Sequence, residues 1–235
     1  MNSSCACVVL FDIDGTLVTG PGPSPSPGML AMDASAYQVT GRGGLHERVE
    51  FAGRTDPQIA RDLLRAGGNS DPTERDVERL IDAYVDALSR GVKERPYRAL
   101  AGVREAVEAL RSAGAVVGLG TGNVPRGARV KLTSAGLIDL FDLSLGGFGD
   151  DASTRDELLR VGATRCDPEG LLPVVVVGDT PHDVRAARAI GAFCVAVTTG
   201  PYDAESLVAF GPHLVLDGLD GDLVGLINEV LSESP

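Results

Sequence analysis

The segment Phe11-Asp12-Ile13-Asp14-Gly15-Thr16 sets two carboxylates two residues apart, directly after the apolar run Cys7–Phe11. In an extended chain such residues point the same way, so both side chains reach over the end of one strand. Gly15 permits the tight turn that has to follow. A second polar cluster, Gly120-Thr121-Gly122-Asn123, follows the run Val116–Leu119, and a threonine hydroxyl beside glycine amides makes a small nest for an anion. A third, Gly178-Asp179-Thr180-Pro181-His182-Asp183, follows Val174–Val177 and adds two more carboxylates. Each cluster alone has a plainer reading: an acidic turn in solvent, a generic Gly-Thr-Gly turn, and Asp183 as a helix N-terminal carboxylate. Three separate runs that all end in polar chemistry argue for one shared site. Four converging carboxylates repel each other unless a cation sits among them, and hard oxygen ligands with room for water favour Mg²⁺. Such a cation also draws in a phosphate and shields it from the carboxylates' own charge.

The elements that must position these residues follow from hydrophobic patterning. Cys7–Phe11, Val116–Leu119, Val174–Val177, Cys194–Val197 and Leu214–Leu216 are short apolar runs of the kind buried on both faces of a parallel sheet. Helical spacing lies between them. Val103, Ala106, Val107 and Leu110 form one stripe before Gly114, and Val184, Ala187 and Ile190 another before Gly191. Alternating strands and helices predict an α/β, Rossmann-like, doubly wound parallel sheet, whose chemistry gathers at the carboxyl ends of the strands. Residues 19–95 break the rhythm. They open with Gly20-Pro21-Gly22-Pro23-Ser24-Pro25-Ser26-Pro27-Gly28, a run expected to be neither helix nor central strand and read as a stiff connector. Helical stretches follow; the clearest takes Asp71 as N-cap and Pro72 as its first residue, with Val77, Leu80, Ile81, Tyr84 and Leu88 on one face. The expected organisation is a core of residues 1–18 and 96–235 with a helical domain, 19–95, inserted after the first strand.

Composition narrows the function classes. The formal net charge of the 235 residues is −12, with no basic patch of the kind a nucleic-acid backbone or an anionic membrane requires. A small phosphorylated molecule remains compatible, given a bound cation to offset the charge locally. There is no apolar stretch of membrane-spanning length and no secretory pattern at the start, so a cytoplasmic setting with reduced thiols is expected. Cys5-x-Cys7 lacks a partner pair at zinc-site spacing and reads as ordinary thiols.

The combination Asp-x-Asp-Gly-Thr, Thr-Gly-Asn and Gly-Asp-Thr-x-x-Asp, in this order over nearly the whole chain, resembles the haloacid dehalogenase superfamily. The likeness is to its phosphoglycolate phosphatase-like branch, which carries a helical cap after the first strand. The resemblance implies that Asp12 is the nucleophile and forms an aspartyl-phosphate. It further implies that Asp14 protonates the leaving alcohol and then activates water, a role its carboxylate neighbours would assist by favouring a bound proton. By the same resemblance Asp12, the backbone carbonyl of Asp14, Asp179 and Asp183 hold or orient Mg²⁺ and its water. Thr121, with Gly122, would bind the transferring phosphoryl group.

Most relatives place a lysine followed by proline between the threonine and the final aspartates. Here the only lysines are Lys93 and Lys131, and Arg155 is the candidate phosphate clamp, with Arg160 and Lys131 in reserve. A guanidinium can grip phosphate oxygens bidentately; the plainer reading is a surface arginine paired with acidic neighbours. In the inserted segment, Phe51-Ala52-Gly53-Arg54-Thr55-Asp56 resembles a substrate-facing cap loop. Arg54 and Thr55 are its specificity candidates, while Thr55 or Asp56 can equally cap the helix that begins near Pro57. His46, His182 and His213 carry no assigned role.

Rival functions differ at single residues. A dehalogenase lacks the second acidic residue, so Asp14 argues against it. A phosphonate hydrolase needs a Schiff-base lysine in the cap, for which Lys93 is poorly placed. A sugar-phosphate mutase keeps both aspartates but usually has valine at the position of Thr16. A binding or regulatory protein on this fold would be expected to have lost one of the four acidic positions, and all four are present. The sequence leaves the physiological substrate and the oligomeric state open.

Overall fold

The computed structural model describes residues 5–22 and 24–232. Pro23, within the Gly20–Gly28 run, and the first four residues lie outside the described residues. In chain order the elements are β1 (Val8–Phe11), β2 (Val18–Thr19), α1 (Pro27–Thr40), α2 (Asp56–Ala66), α3 (Glu74–Gly91), β3 (Arg98–Ala99), α4 (Val103–Ser112), β4 (Val116–Gly120) and α5 (Pro125–Ser134). They continue with β5 (Gly146–Gly147), α6 (Arg155–Cys166), β6 (Val174–Gly178), α7 (Pro181–Ala189), β7 (Phe193–Val197), α8 (Ala204–Val208), β8 (Leu214–Leu216) and α9 (Leu223–Ser232).

Six strands pair in parallel in the order β5-β4-β1-β6-β7-β8. All four residues of β1 are buried, which is why its run is apolar without alternation. The chain leaves β1 toward β4 and β5 on one side, then returns to β6, β7 and β8 on the other. The three strands that carry the polar clusters are therefore the central ones, and the crevice lies where the winding reverses. This is the doubly wound α/β sheet expected from the patterning.

Two short pairings lie outside the strands expected from the patterning. The first is β5, whose two glycines offer no side-chain pattern; a Cβ on Gly147 would lie 1.8 Å from the Leu158 carbonyl oxygen of α6. The second is an antiparallel pair of β2 with β3, at the two ends of the helical segment. Within that segment the Gly20–Gly28 run already contains the start of α1. Ser26 is its N-cap, accepting from the Met29 N–H, and Pro27 occupies the first turn, where no amide hydrogen is needed. The helix expected to start at Asp71–Pro72 starts later. Thr73 is the N-cap of α3 and forms a reciprocal capping box with Asp76 that satisfies two otherwise unpaired donors. The apolar face of α3 is as expected: Val77, Leu80, Ile81, Tyr84 and Leu88 are all buried, against α1 and α2.

Cys5 and Cys7 are buried thiols with their sulfurs 3.3 Å apart, and all four cysteines are free. No helix among the described residues is long and apolar enough to cross a membrane.

Candidate active site

Asp12 stands one residue beyond β1, with its N–H bonded to the Val177 carbonyl of β6 at 2.9 Å. The turn behind it is tight: Gly15 donates to the Val18 carbonyl and has φ of +78°, a region where a side chain is strained. A Cβ there would also lie 2.3 Å from Asp179 Oδ2, so Gly15 is required twice, for the turn and for room beside the carboxylate. Asp179 follows β6 directly, and Gly200, after β7, packs against the same carboxylate. Asp183 is the third residue of α7 and forms a capping box with Thr180. Its Oδ2 accepts from the Thr180 N–H at 3.0 Å and from the Thr180 hydroxyl at 2.6 Å, while Oδ1 accepts from Arg155 Nε at 2.7 Å. Asp183 is thus a helix-cap carboxylate, and its second oxygen faces the cluster.

Asp12, Asp179 and Asp183 each offer a carboxylate oxygen within 4.8 Å of the others, and all three are buried. Arg155, at the first position of α6, is the cation shared by Asp12 and Asp183: its Nη2 lies 2.9 Å from Asp12 Oδ1. The same nitrogen lies 2.5 Å from Asp183 Oδ1, so the guanidinium is held between these two carboxylates. Burial pushes the Asp12 carboxyl up to about 6 against the pull of Arg155, and the Asp183 and Asp14 carboxylates add to the rise. Asp179 is raised further, by burial and then by Asp12 and Asp183. The protein alone supplies too little positive charge for three ionised carboxylates.

Asp14 sits apart from that group. Its Oδ2 accepts from Lys131 Nζ at 2.6 Å and from Asn123 Nδ2 at 2.8 Å. The expected carboxylate neighbours are therefore joined by a cation that the sequence reading held only as a reserve phosphate clamp. Arg160, the other reserve, is at the surface, paired with Asp156 and the Ala189 carbonyl.

Thr121 is fully buried. Its hydroxyl accepts from the Asn123 N–H and Nδ2, and its own hydrogen has no acceptor among the described residues. Gly122 is where the helical segment touches the sheet: its carbonyl accepts from the Asp56 N–H at 2.7 Å, and a Cβ on it would lie 2.3 Å from the Arg54 carbonyl. Of the two specificity candidates, Arg54 lines the cavity and Thr55 does not. Thr55 is taken up as the N-cap of α2, in a capping box with Gln58. Arg54 pairs with Asp62 at 2.6 Å and keeps a buried Nε without a hydrogen-bond partner among the described residues.

A cavity of about 500 Å³ is lined by Asp12, Asp14, Arg54, Gly122, Arg155 and Asp179, while Thr121 and Asp183 are buried and do not line it. The turn after β1 contributes Asp12 and Asp14, α6 contributes Arg155, and the helical segment contributes Met29, Phe51 and Ile59. At its inner end Lys131, Asp56, Tyr84 and Tyr97 form a second polar cluster, which the sequence reading missed. Burial disfavours the Lys131 ammonium, but Asp14, the two tyrosines and Asp56 outweigh it and hold its pKa above the ordinary lysine value. A usable signal existed: lysine is rare in a chain with nineteen arginines. The histidines stay outside this chemistry. His46 pairs with Asp33, His213 accepts from the Cys194 N–H, and His182 packs against Gly53.

Asp56 provides a test of the cluster. Burial pushes its carboxyl up to about 6, against Lys131 and the Val124 N–H that bonds it at 2.9 Å. A carboxyl that titrates higher when folded contributes stability that is full below the unfolded pKa and lost as pH rises through about 6. Asp56→Asn keeps an acceptor for Val124 and removes that loss. Urea unfolding should show the variant gaining on the wild type by on the order of 3 kcal/mol between pH 4 and pH 7.

A family model described as haloacid dehalogenase-like hydrolase matches residues 8–191. The chain belongs to that hydrolase family. It is 26% identical to a "Probable phosphatase IndB" of Dickeya dadantii, with 97% of each chain covered. It is 28% identical to a phosphoglycolate phosphatase of Synechococcus elongatus, over 96% of this chain and 99% of that one. A hydrolase crystal structure from Pseudomonas syringae superposes with a TM-score of 0.69 at 24% identity, over 95% of this chain and 98% of the other.

Proposed function

We infer that this protein is a phosphatase that hydrolyses a small phosphate monoester through an aspartyl-phosphate on Asp12. The observation that carries the reading is the buried group of Asp12, Asp179 and Asp183 around Arg155, at the carboxyl ends of the central strands. Three buried carboxylates with a single guanidinium are a poor arrangement for any purpose except holding further positive charge. Their oxygens, within 4.8 Å of one another, fit a hard divalent cation such as Mg²⁺, with the backbone carbonyl of Asp14 as a further oxygen ligand. When bound, that ion supplies the charge neutralisation that lets a phosphate dianion approach Asp12.

The chain's own residues do the rest. The Arg155 guanidinium beside Asp12, the Thr121 hydroxyl and the Gly122 turn receive the phosphoryl oxygens. An Asp12 oxygen attacks phosphorus, the ester P–O bond breaks, and Asp14 gives its proton to the departing alkoxide. Asp14 then takes a proton from water as that water attacks the phosphorus of the acyl phosphate, which frees inorganic phosphate and restores Asp12. Residues 19–95 act as the cap, and Arg54, with its free Nε, meets the non-reacting part of the substrate. The names of the relatives and the modest cavity support a small metabolite, with phosphoglycolate or a sugar phosphate as leading candidates.

Inorganic phosphate release from a panel of such esters tests the reading. Turnover of at least one ester in Mg²⁺, and a fall to background in chelator, is the expected result. No turnover of any ester in Mg²⁺ would overturn it, and isomerised product without free phosphate would indicate a mutase instead.

A further inference from the structure

Lys131 is one of two lysines in a chain that otherwise uses nineteen arginines, and it lies buried on α5 at the inner end of the cavity. An ammonium is tolerated there only if its charge and its donors are matched. Its Nζ meets Asp14 Oδ2 at 2.6 Å and lies 5.7 Å from the centre of the Tyr97 ring. The start of α1 closes over it: a Cβ on Gly28 would come within 3.6 Å of the same Nζ and 3.0 Å of the Tyr97 hydroxyl. The stem is therefore confined and the ammonium has one place to be.

Asn123 holds the same oxygen of Asp14 from another side, at 2.8 Å. Asp14 Oδ1, by contrast, accepts nothing among the described residues, and the Asp14 side chain is 43% exposed toward the cavity it lines. One oxygen of the carboxyl is fixed by protein donors and the other is left for a ligand. A compact ammonium suits this task better than a planar fork, which would reach for both oxygens at once.

We propose that Lys131 is a positioning residue for Asp14. With Asn123 it pins Oδ2 and so presents Oδ1 to the leaving oxygen of the ester and, afterwards, to the attacking water. The inference rests on the phosphatase reading above. Without the pin, the Asp14 side chain is free to leave the one rotamer that faces the reacting oxygen. A misplacement of about 1 Å in such a group is worth roughly 10²-fold in rate.

The test compares kcat/KM for an alkyl phosphate, whose alkoxide must be protonated as it leaves, with kcat/KM for p-nitrophenyl phosphate, whose phenolate leaves unaided. Both are measured for the wild type and for Lys131→Met, which keeps the length of the stem. Because Lys131→Met leaves Asp56 buried without its cation, Lys131→Met/Asp56→Asn is made as well. Asn123→Ala, which removes the other pin, completes the set. The expected result is a loss of about 10²-fold on the alkyl ester with less than about threefold on the aryl ester. Equal losses on both esters, or a change confined to KM, would overturn the proposal. The alkyl phosphate is one that the wild type hydrolyses in the panel above; a wild type that releases phosphate from no ester of that panel would instead remove the phosphatase reading on which the proposal stands.

Discussion

Asp12→Asn is expected to abolish phosphate release, by at least about four orders of magnitude in kcat, and to leave the fold intact. The amide cannot form the acyl phosphate, so no slower version of the same route is open to it. Stability should move the other way. Burial and the Asp183 and Asp14 carboxylates push the Asp12 carboxyl up to about 6, so above that pH its ionised form is held at a cost to the folded state. Asparagine has the same shape and no charge, and Arg155 keeps Asp183 as its partner. In chelator at pH 7.5 the variant should melt no lower than the wild type. A thermal melt and a phosphate assay on the same preparation check both halves. A variant that is inactive because it is unfolded would not satisfy the prediction.

Arg155→Met is expected to fail in both respects. It removes the guanidinium shared by Asp12 and Asp183, both buried, and leaves three carboxylates without a cation beside them. Breaking a buried pair by deleting one partner costs about 3–5 kcal/mol. Loss of the phosphate clamp should lower kcat/KM by about 10³-fold, in the range of removing one preorganised donor from a developing charge. Excess Mg²⁺ separates the two effects. It should raise the melting temperature of the variant, because positive charge is what the carboxylates lack, and it should leave kcat/KM low, because the phosphoryl oxygens still lack their donor. Restoration of activity by Mg²⁺ alone would show that Arg155 serves only to balance charge.

The strand ends were legible because their signals are local. Asp12, Thr121 and Asp179 each follow an apolar run, and a run buried on both faces has few ways to be anything but a central strand. Arg155 stands out as the candidate for the basic residue that the resemblance places between Thr121 and Asp179, and the structure sets it against Asp12 and Asp183. What stayed hidden depends on chain segments meeting in space. Lys131 lies in a helix whose sequence gives no hint that α1 and Tyr97 close over it. Thr55 and Asp56 are both cap candidates by sequence; the cap is Thr55, and the Asp56 carboxylate crosses to the Val124 N–H instead. The α3 start was misjudged by two residues because Asp71-Pro72 imitates a helix start, and only the Thr73–Asp76 box shows which one is used. Strand β5 left no trace, since two glycines carry no pattern at all.

The central claim is that Asp12 becomes phosphorylated during turnover. The direct measurement is mass spectrometry of the enzyme quenched in acid during steady-state hydrolysis, followed by proteolysis. The account predicts a peptide containing Asp12 heavier by one phosphoryl group, present with substrate and Mg²⁺ and absent in Asp12→Asn. Sustained phosphate release with no phosphoryl group on Asp12, or with one on another residue, would contradict it.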